Sequence, residues 1–473
     1  MRLLFVAAEA FPLAKVGGLA DVVGSLPKAL LARGHQVALI LPSYQTLNRV
    51  RSLEMTSRNP PLSVKVFGQE QPVKLRQTVI DDLPAYLIEN DFYFNRPAIY
   101  GEADDLARFF FFSQAVMAVL DRLPWLPDVI HAHDWHTGLI PLWAKERGLA
   151  SVFTIHNLAY QGAFGVDFLA ASKLNEHHET SQVNLPHNIL AWGIWHATKV
   201  NTVSPKYAEE IQSPELGEGL DGLLRQRRAD LAGIVNGIDY SEFDPSHDSL
   251  LPANYDASAL EGKAACKAEL QKRMGLPQTA DTPIIGMVTR MDEQKGFDLL
   301  PQAIEQILAQ TPAQLVILGR GRPHYEVAMK ELAARYADRL AVTVAFDNPL
   351  AHLIYAGADF FLMPSRFEPC GLGQLVAMHY GTVPVVRHTG GLADTVHTLS
   401  PNLKEGSGFV FQEYTSQALI GAVQQATEAF GRRRGWAELQ SRLMRLDFSW
   451  TASAQRYEEV YRQALRARPS LHP

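Results

Sequence analysis

Short apolar runs alternate along this chain with stretches in which apolar positions recur every three to four residues. In the first half the runs fall at residues 3–8, 37–41, 85–88, 129–132, 151–154 and 200–203. Between them, residues 20–33, closed by Gly34, and residues 106–120 read as amphipathic helices. A second series has runs at 284–288, 314–318, 342–345, 359–363 and 383–386, with helices predicted at 299–310, 325–336 and 416–430. Runs that are apolar throughout and separated by helices predict parallel strands buried on both faces. Residues 239–254, rich in Asp, Ser and Pro, part the two series, and the region 241–281 reads as irregular and partly helical. The pattern predicts an α/β protein of two doubly wound domains, at 1–240 and 241–452, followed by a final stretch, 453–473, whose residues 453–466 form an amphipathic helix.

Composition narrows the class. A chain of 473 residues exceeds what one core supports, which agrees with two domains. Apolar residues make up 47% and charged residues 20%, so the chain reads as folded and soluble rather than disordered. The net charge of −6 comes without a dense basic stripe, which excludes a nucleic-acid footprint. The longest basic cluster, Arg432-Arg433-Arg434, reads as a solvated helix end. Two cysteines, Cys266 and Cys370, make no disulfide framework and fit a reducing compartment. The apolar start is interrupted by Glu9 and reads as a first buried strand, not a signal peptide. No run approaches the roughly 18 apolar residues of a membrane span. The expectation is a cytoplasmic protein that engages neither membrane nor nucleic acid.

Doubly wound sheets bind ligands beyond the carboxyl ends of their strands, so the residues after each run are the candidates. Gly-Gly-Leu-Ala-Asp occurs twice, at 17–21 and at 390–394, each time after an apolar run and before a helix start. Strand, Gly-Gly turn and helix N-terminus form a geometry that holds an anion, and Lys15 adds a cation to the first copy. The plainer reading is two tight turns. After residue 130 comes His131-Ala132-His133-Asp134-Trp135-His136. A dinuclear metal site would want His-x-His-x-Asp-His, and here Asp134 and Trp135 are transposed, so no metal is expected. Asp134 reads instead as an acceptor for a sugar hydroxyl, as an orienter of a neighbouring His, or as the cap of a turn. His156 and Asn157 follow another strand end, and either line a site or serve packing. Asn236 lies in a further strand-end turn, and Ser204-Pro205 reads as a helix N-cap with Pro at the first helical position.

In the second half Arg290 stands at a strand end and Lys295 five residues later, before a helix. Such a pair suits a diphosphate, Arg binding oxygens bidentately and Lys acting as a point charge; the alternative is two surface cations. The turn Gly319-Arg320-Gly321-Arg322 lacks a complete Gly-x-Gly-x-x-Gly fingerprint, which argues against a nicotinamide dehydrogenase. In the loop 364–374, Glu368 is placed to hold sugar hydroxyls or balance developing positive charge, and the amides of Gly371, Leu372 and Gly373 are offered to a phosphate.

Together and in this order, these segments resemble the bacterial glycogen synthase and starch synthase family. The resemblance runs through Lys-x-Gly-Gly-Leu-Ala-Asp at 15–21, His-Ala-His-Asp-Trp-His at 131–136 and Thr-Ile-His-Asn-Leu-Ala-Tyr-Gln-Gly at 154–162. It continues with Asn-Gly-Ile-Asp at 236–239, Arg290 to Lys295-Gly296 and Pro-Ser-Arg-Phe-Glu-Pro-Cys-Gly-Leu at 364–372. It closes with Thr-Gly-Gly-Leu-Ala-Asp-Thr-Val at 389–396 and Asp-Phe-Ser-Trp at 447–450. It implies two Rossmann-like domains facing a central cleft, the GT-B type, with the final helix crossing back to the first domain. It implies transfer of glucose from ADP-glucose to the non-reducing end of an α-1,4-glucan such as glycogen, with retention of configuration and no metal or organic cofactor. A UDP-sugar donor is the alternative on the same fold.

The resemblance also assigns residues. Arg290 and Lys295 meet the departing diphosphate, helped by Cys370, Gly371, Leu372 and Gly373 and by Lys15 and Gly18. His156 hydrogen-bonds the glucose and Glu368 its hydroxyls, while Asp134, Asn157 and Asn236 line the same pocket. Tyr100 closes the donor site, and Phe346, where relatives can carry Tyr, stacks on the base. Three departures stand out. Arg322 replaces a usually acidic residue, Ala191-Trp192-Gly193 replaces a Lys-containing segment after a shortened stretch 163–188, and Gly373 replaces a frequent Thr. The first two bear on donor and acceptor preference. Cys370 reads either as an oxidation-sensitive thiol at the site or as a packed one, and Cys266 as structural.

Overall fold

The computed structural model describes residues 1–45, 56–176, 185–431 and 435–468; Arg432-Arg433-Arg434 and part of the stretch 163–188 lie outside the described residues. The chain divides into two compact units, Met1–Gly237 with Trp450–Pro473, and Ile238–Ser449.

The first unit is built on β1 (Arg2–Val6), β2 (Gln36–Pro42), β3 (Thr56–Val66), β4 (Gln69–Ile80), β5 (Leu83–Glu89), β6 (Val129–His133), β7 (Ala150–Ile155), β8 (Lys199–Thr202) and β9 (Leu231–Gly233). They form a nine-stranded sheet in the order β3-β4-β5-β2-β1-β6-β7-β8-β9. Only β4 runs against its neighbours. All six runs expected in this half are strands, and β3, β4 and β9 are additional. Side chains of β1 alternate between two cores, as burial on both faces requires. Leu4 and Val6 pack with Phe109 to Phe112 of the helix Asp105–Val119. Leu3 and Phe5 pack on the other face with Val22, Val23 and Leu26 of the helix Gly18–Ala32. The helix Trp450–Arg466 joins this second face through Trp450, Ala454, Tyr457, Tyr461 and Ala464, spaced as one helical stripe. Its Glu458 accepts from Arg33 Nε at 2.6 Å and lies 3.0 Å from His35 Nε2. Those bonds hold the Glu458 carboxyl down to about 2.

The second unit carries β10 (Ile284–Val288), β11 (Gln314–Gly319), β12 (Leu340–Val344), β13 (Phe360–Met363), β14 (Val383–Arg387) and β15 (Phe409–Phe411). They pair in parallel, in the order β12-β11-β10-β13-β14-β15. All five expected runs are strands and β15 is additional. The helices Leu300–Gln310, Pro323–Arg335 and Ser416–Phe430 stand where expected, and the region 241–281 contains a 13-residue helix, Glu261–Arg273. Among the described residues no helix is long and apolar enough to cross a membrane.

Each sheet has one place where the strand order reverses. In the first unit β1 leads outward to β2 and β6 leads the other way to β7; in the second, β10 leads to β11 and β13 to β14. Loops leaving such a pair diverge and open a crevice at the carboxyl ends. These switch points bring the loop after β1 beside the turn after β6, and residues 290–295 beside residues 364–371.

Candidate active site

The loop after β1 is organised by a residue that sequence reading treats only as an interruption. Glu9 is buried at 2% exposure. Its Oε2 accepts from the amides of Val16 at 2.6 Å and Gly17 at 3.1 Å, and its Oε1 from the Tyr100 hydroxyl at 2.9 Å. The first Gly-Gly turn does hold an anion, and that anion is the chain's own carboxylate. Burial pushes the pKa of Glu9 up, and burial with the Glu9 charge also raises that of Tyr100. Lys15 pairs with Asp21 at 2.6 Å and lies 5.2 Å from the centre of the Phe11 ring. Gly18 opens the helix Gly18–Ala32, which has no side-chain cap, so its first-turn amides and Lys15 are what the loop offers a further anion.

Asp134 follows β6 with a φ of 54°, a left-handed backbone that costs a non-glycine residue energy. Its Oδ1 accepts from the amide of His156 at 2.7 Å, and its own amide donates to the Thr154 carbonyl at 2.9 Å. The turn after β6 is thereby tied to the turn after β7. The neighbouring histidines form a packed group. His131 Nδ1 lies 2.9 Å from the Tyr461 hydroxyl and its Nε2 2.6 Å from Thr154 Oγ1, while His133 Nδ1 lies 3.0 Å from His156 Nε2. Burial holds His156 down to about 3 and His131 and His133 well below their usual value, so all three are neutral near pH 7. Among the described residues no group of three or more His, Cys, Asp or Glu is placed to hold a metal ion. Asn157 Oδ1 accepts from the Ala159 amide at 3.1 Å, and Asn236 is buried.

Burial pushes the Asp134 carboxyl up to about 7, well above its value in an unfolded chain. A raised folded-state pKa stabilises the fold in acid, and that contribution is withdrawn as pH rises from the ordinary carboxylate value near ~4 to about 7. The stability of the wild type relative to Asp134→Asn is expected to fall across that window, by at most about 1.4 kcal/mol per pH unit. Urea midpoints of both proteins at about pH 5 and about pH 8 check it; a pH-independent difference would show that Asp134 does not titrate there.

In the second unit Lys295 closes the short turn Glu293–Lys295, whose start is capped by Asp292. Its Nζ donates to Glu368 Oε2 at 2.5 Å, and the Ser365 hydroxyl donates to the same oxygen at 2.9 Å. Glu368 is 4% exposed. Arg290 pairs with Asp292 at 2.7 Å and donates to Gln294 Oε1 at 2.9 Å, leaving its half-exposed head at the rim. The following loop is held by Gln374, fully buried, whose Nε2 donates to the carbonyls of Cys370 at 3.1 Å and Gly371 at 3.0 Å. Gly371 has a φ of 72°, and Leu372 and Gly373 begin the helix Gly373–His379. Cys370 and Cys266 are both buried, and neither is in a disulfide. Phe346, after β12, is 86% exposed.

Two expectations change. The second Gly-Gly copy serves packing: a Cβ on Gly390 would lie 1.9 Å from the Glu368 carbonyl oxygen and one on Gly391 2.0 Å from that of Cys370. Ala191, Trp192 and Gly193 lie in the buried helix Ile189–His196, where Gly193 faces the Phe153 ring, so this departure alters the core and not a ligand surface. Arg322 is a surface residue, paired with Glu293 at 2.9 Å beside the Lys295 turn.

Residues 2–226 match the starch synthase catalytic domain family, and residues 282–428 match the glycosyl transferases group 1 family. The glycogen synthase of Moorella thermoacetica is 46% identical over 483 residues, covering 99% of this chain and 98% of the relative. The chain belongs to the glycogen synthase family. The catalytic domain of starch synthase IV from Arabidopsis thaliana, solved bound to ADP and acarbose, matches with a TM-score of 0.90 at 34% identity, covering 98% of this chain and 99% of that one. A sucrose-phosphate synthase from Thermosynechococcus elongatus, 21% identical, shares the fold with a TM-score of 0.62, covering 98% of this chain and 99% of that one. The chain is a glycosyltransferase with two parallel-sheet α/β domains of the GT-B type. Within this glycogen synthase family fold, the first unit groups Lys15, Gly18 and Tyr100 around Glu9, and Asp134 with His156. The second groups Lys295 with Glu368 and packs residues 370–373 on Gln374 and the second Gly-Gly pair.

Proposed function

We propose that the chain transfers a glucosyl unit from ADP-glucose to the non-reducing 4-hydroxyl of an α-1,4-glucan, in the cytoplasm and with retention of anomeric configuration. The observation that carries this reading is the Lys295–Glu368 pair at a switch point, 2.5 Å apart, with Arg290 in the neighbouring turn. The relative from Moorella thermoacetica and the starch synthase solved with ADP and acarbose support it. As the bond from C1 to the diphosphate oxygen lengthens, negative charge grows on the phosphate, and Arg290 and Lys295 stabilise it. Lys15 and the amides of Gly18, Gly371, Leu372 and Gly373 are further anion ligands, and Phe346 stacks on the base. Glu368 passes from Lys295 to sugar hydroxyls, while His156, Asp134, Asn157 and Asn236 surround the glucosyl group and Tyr100 closes it in.

The sugar passes through an oxocarbenium-like state. With Glu368 assigned to the sugar hydroxyls and Asp134 Oδ1 engaged by the His156 amide, the reading is a path without a protein nucleophile. The acceptor oxygen attacks C1 from the face the diphosphate leaves, forming the new C1–O bond as the old one breaks. The hydroxyl proton goes to the departing phosphate oxygen.

Nucleotide release in the presence of glycogen, measured with ADP-glucose and UDP-glucose in parallel, tests the reading. ADP release with polymer growth is expected. Release from UDP-glucose alone would favour a re-specialised donor site, with Arg322 beside the Lys295 turn as its first suspect. Release from neither would overturn the assignment.

A further inference from the structure

His156, after β7, is held by a second histidine that is closed off from solvent. His156 Nε2 and His133 Nδ1 are 3.0 Å apart. The His133 ring stacks on Phe5 at 5.6 Å and 20°, and lies 4.1 Å from the ring of His131. Both nitrogens of His131 are engaged, by Tyr461 and Thr154. His133 Nε2 is buried and has no hydrogen-bond partner among the described residues. His156 is half-buried, and among the described residues its Nδ1 makes no hydrogen bond.

A neutral imidazole carries one proton, and in the 3.0 Å contact one nitrogen donates and the other accepts. Burial keeps both rings neutral. Were His156 to donate from Nε2, His133 would carry its proton on Nε2, a buried N–H with no acceptor. Were His133 to donate from Nδ1, its Nε2 would be a buried lone pair with no donor. An orphaned N–H is the rarer and costlier defect of the two. His133 therefore donates, His156 accepts at Nε2, and the His156 proton sits on Nδ1, the nitrogen left for a ligand.

We propose that His133 is a positioning residue that fixes the tautomer of His156, so that His156 presents an Nδ1–H donor, and not a lone pair, to the glucosyl group. In that form His156 donates a hydrogen bond to a sugar oxygen and cannot take the acceptor's proton through Nδ1, leaving that proton to the departing phosphate. The use made of the donor rests on the reading of His156 as a glucose ligand; the tautomer does not. Asp134 completes the arrangement by holding the His156 backbone amide at 2.7 Å.

The test is a nitrogen–proton correlation spectrum of the full chain near neutral pH, with isotope-labelled histidine rings. The His156 signals are identified by their loss in His156→Gln. A protonated Nδ1 and a bare Nε2 are expected, and a protonated Nε2 overturns the proposal. His133→Asn, whose amide N–H replaces the donor, should keep that signature. His133→Phe should release His156 into a mixture of tautomers and lower kcat about tenfold with a smaller change in KM. A signature unchanged in His133→Phe would overturn the role of His133, and should that variant not fold, the wild-type spectrum still decides the tautomer. Full turnover in His156→Ala would count against the glucose-ligand reading while leaving the tautomer assignment standing.

Discussion

Lys295→Met is expected to lower kcat by about 10²–10³-fold, the usual cost of losing one group that meets charge developing in the transition state. It is also expected to destabilise the second unit. Glu368 is buried, and its remaining side-chain partner would be the Ser365 hydroxyl at 2.9 Å. Breaking a buried ion pair from one side leaves an uncompensated charge, at a cost of about 3 kcal/mol. Glu368→Gln strands the cation in the same way, although Lys295 can turn its head toward solvent more easily. The double variant Lys295→Met/Glu368→Gln removes both charges and should recover most of the stability while recovering none of the turnover. Urea unfolding and nucleotide release on the four proteins separate these effects. Additive stability losses would show that the 2.5 Å pair contributes no coupling, and full turnover in Lys295→Met would remove Lys295 from the reaction.

Strands buried on both faces are legible because their apolar runs are uninterrupted, from residues 3–8 to residues 383–386. β3 and β4 are not legible, because they form a hairpin at the sheet edge. β4 alternates exposed and buried positions, β3 carries Asn59-Pro60-Pro61, and the turn is Phe67-Gly68 with φ of 49° and 81°. The helix Glu261–Arg273 is hidden for another reason: polar residues occupy its buried face. Lys263 Nζ donates to the carbonyls of Ala356 at 2.8 Å and Tyr380 at 3.0 Å, and Lys267 pairs with Asp359 at 2.7 Å. Apolar periodicity cannot register a lysine whose head is satisfied inside. At the site, motif order supplies the residues proposed to face a substrate. Glu9, Gln374 and the role of His133 escape it, because each acts through bonds to backbone or to residues distant in sequence. Glu9 holds the loop of residues 15–18 from inside through the amides of Val16 and Gly17, and nothing in an isolated acidic residue at a strand end distinguishes that from exposure to solvent.

Two glycines of the repeated Gly-Gly-Leu-Ala-Asp, the first of the first copy and the second of the second, are expected to differ sharply in their tolerance of alanine. A Cβ on Gly17 meets nothing nearer than Glu9 Oε1 at 4.0 Å, and its φ of −141° suits any residue, so Gly17→Ala should change stability by under about 0.5 kcal/mol. A Cβ on Gly391 would fall 2.0 Å from the Cys370 carbonyl oxygen. That atom belongs to the backbone and cannot rotate away, so the loop must move as a unit. The Gly391 amide also donates to the Glu368 carbonyl at 3.0 Å, and that bond would stretch. Gly391→Ala should cost about 3 kcal/mol, at the upper end for overpacking. Displacing Glu368 and the amides of residues 371–373 by about an ångström should lower turnover by about 10²-fold even where the fold survives. Thermal unfolding of both variants and nucleotide release by Gly391→Ala check the contrast. Near-normal stability and turnover in Gly391→Ala would show that the Glu368 loop does not rest on the glycine. An equal loss of stability in Gly17→Ala would show that the first copy is packed like the second, leaving no room there for a further anion.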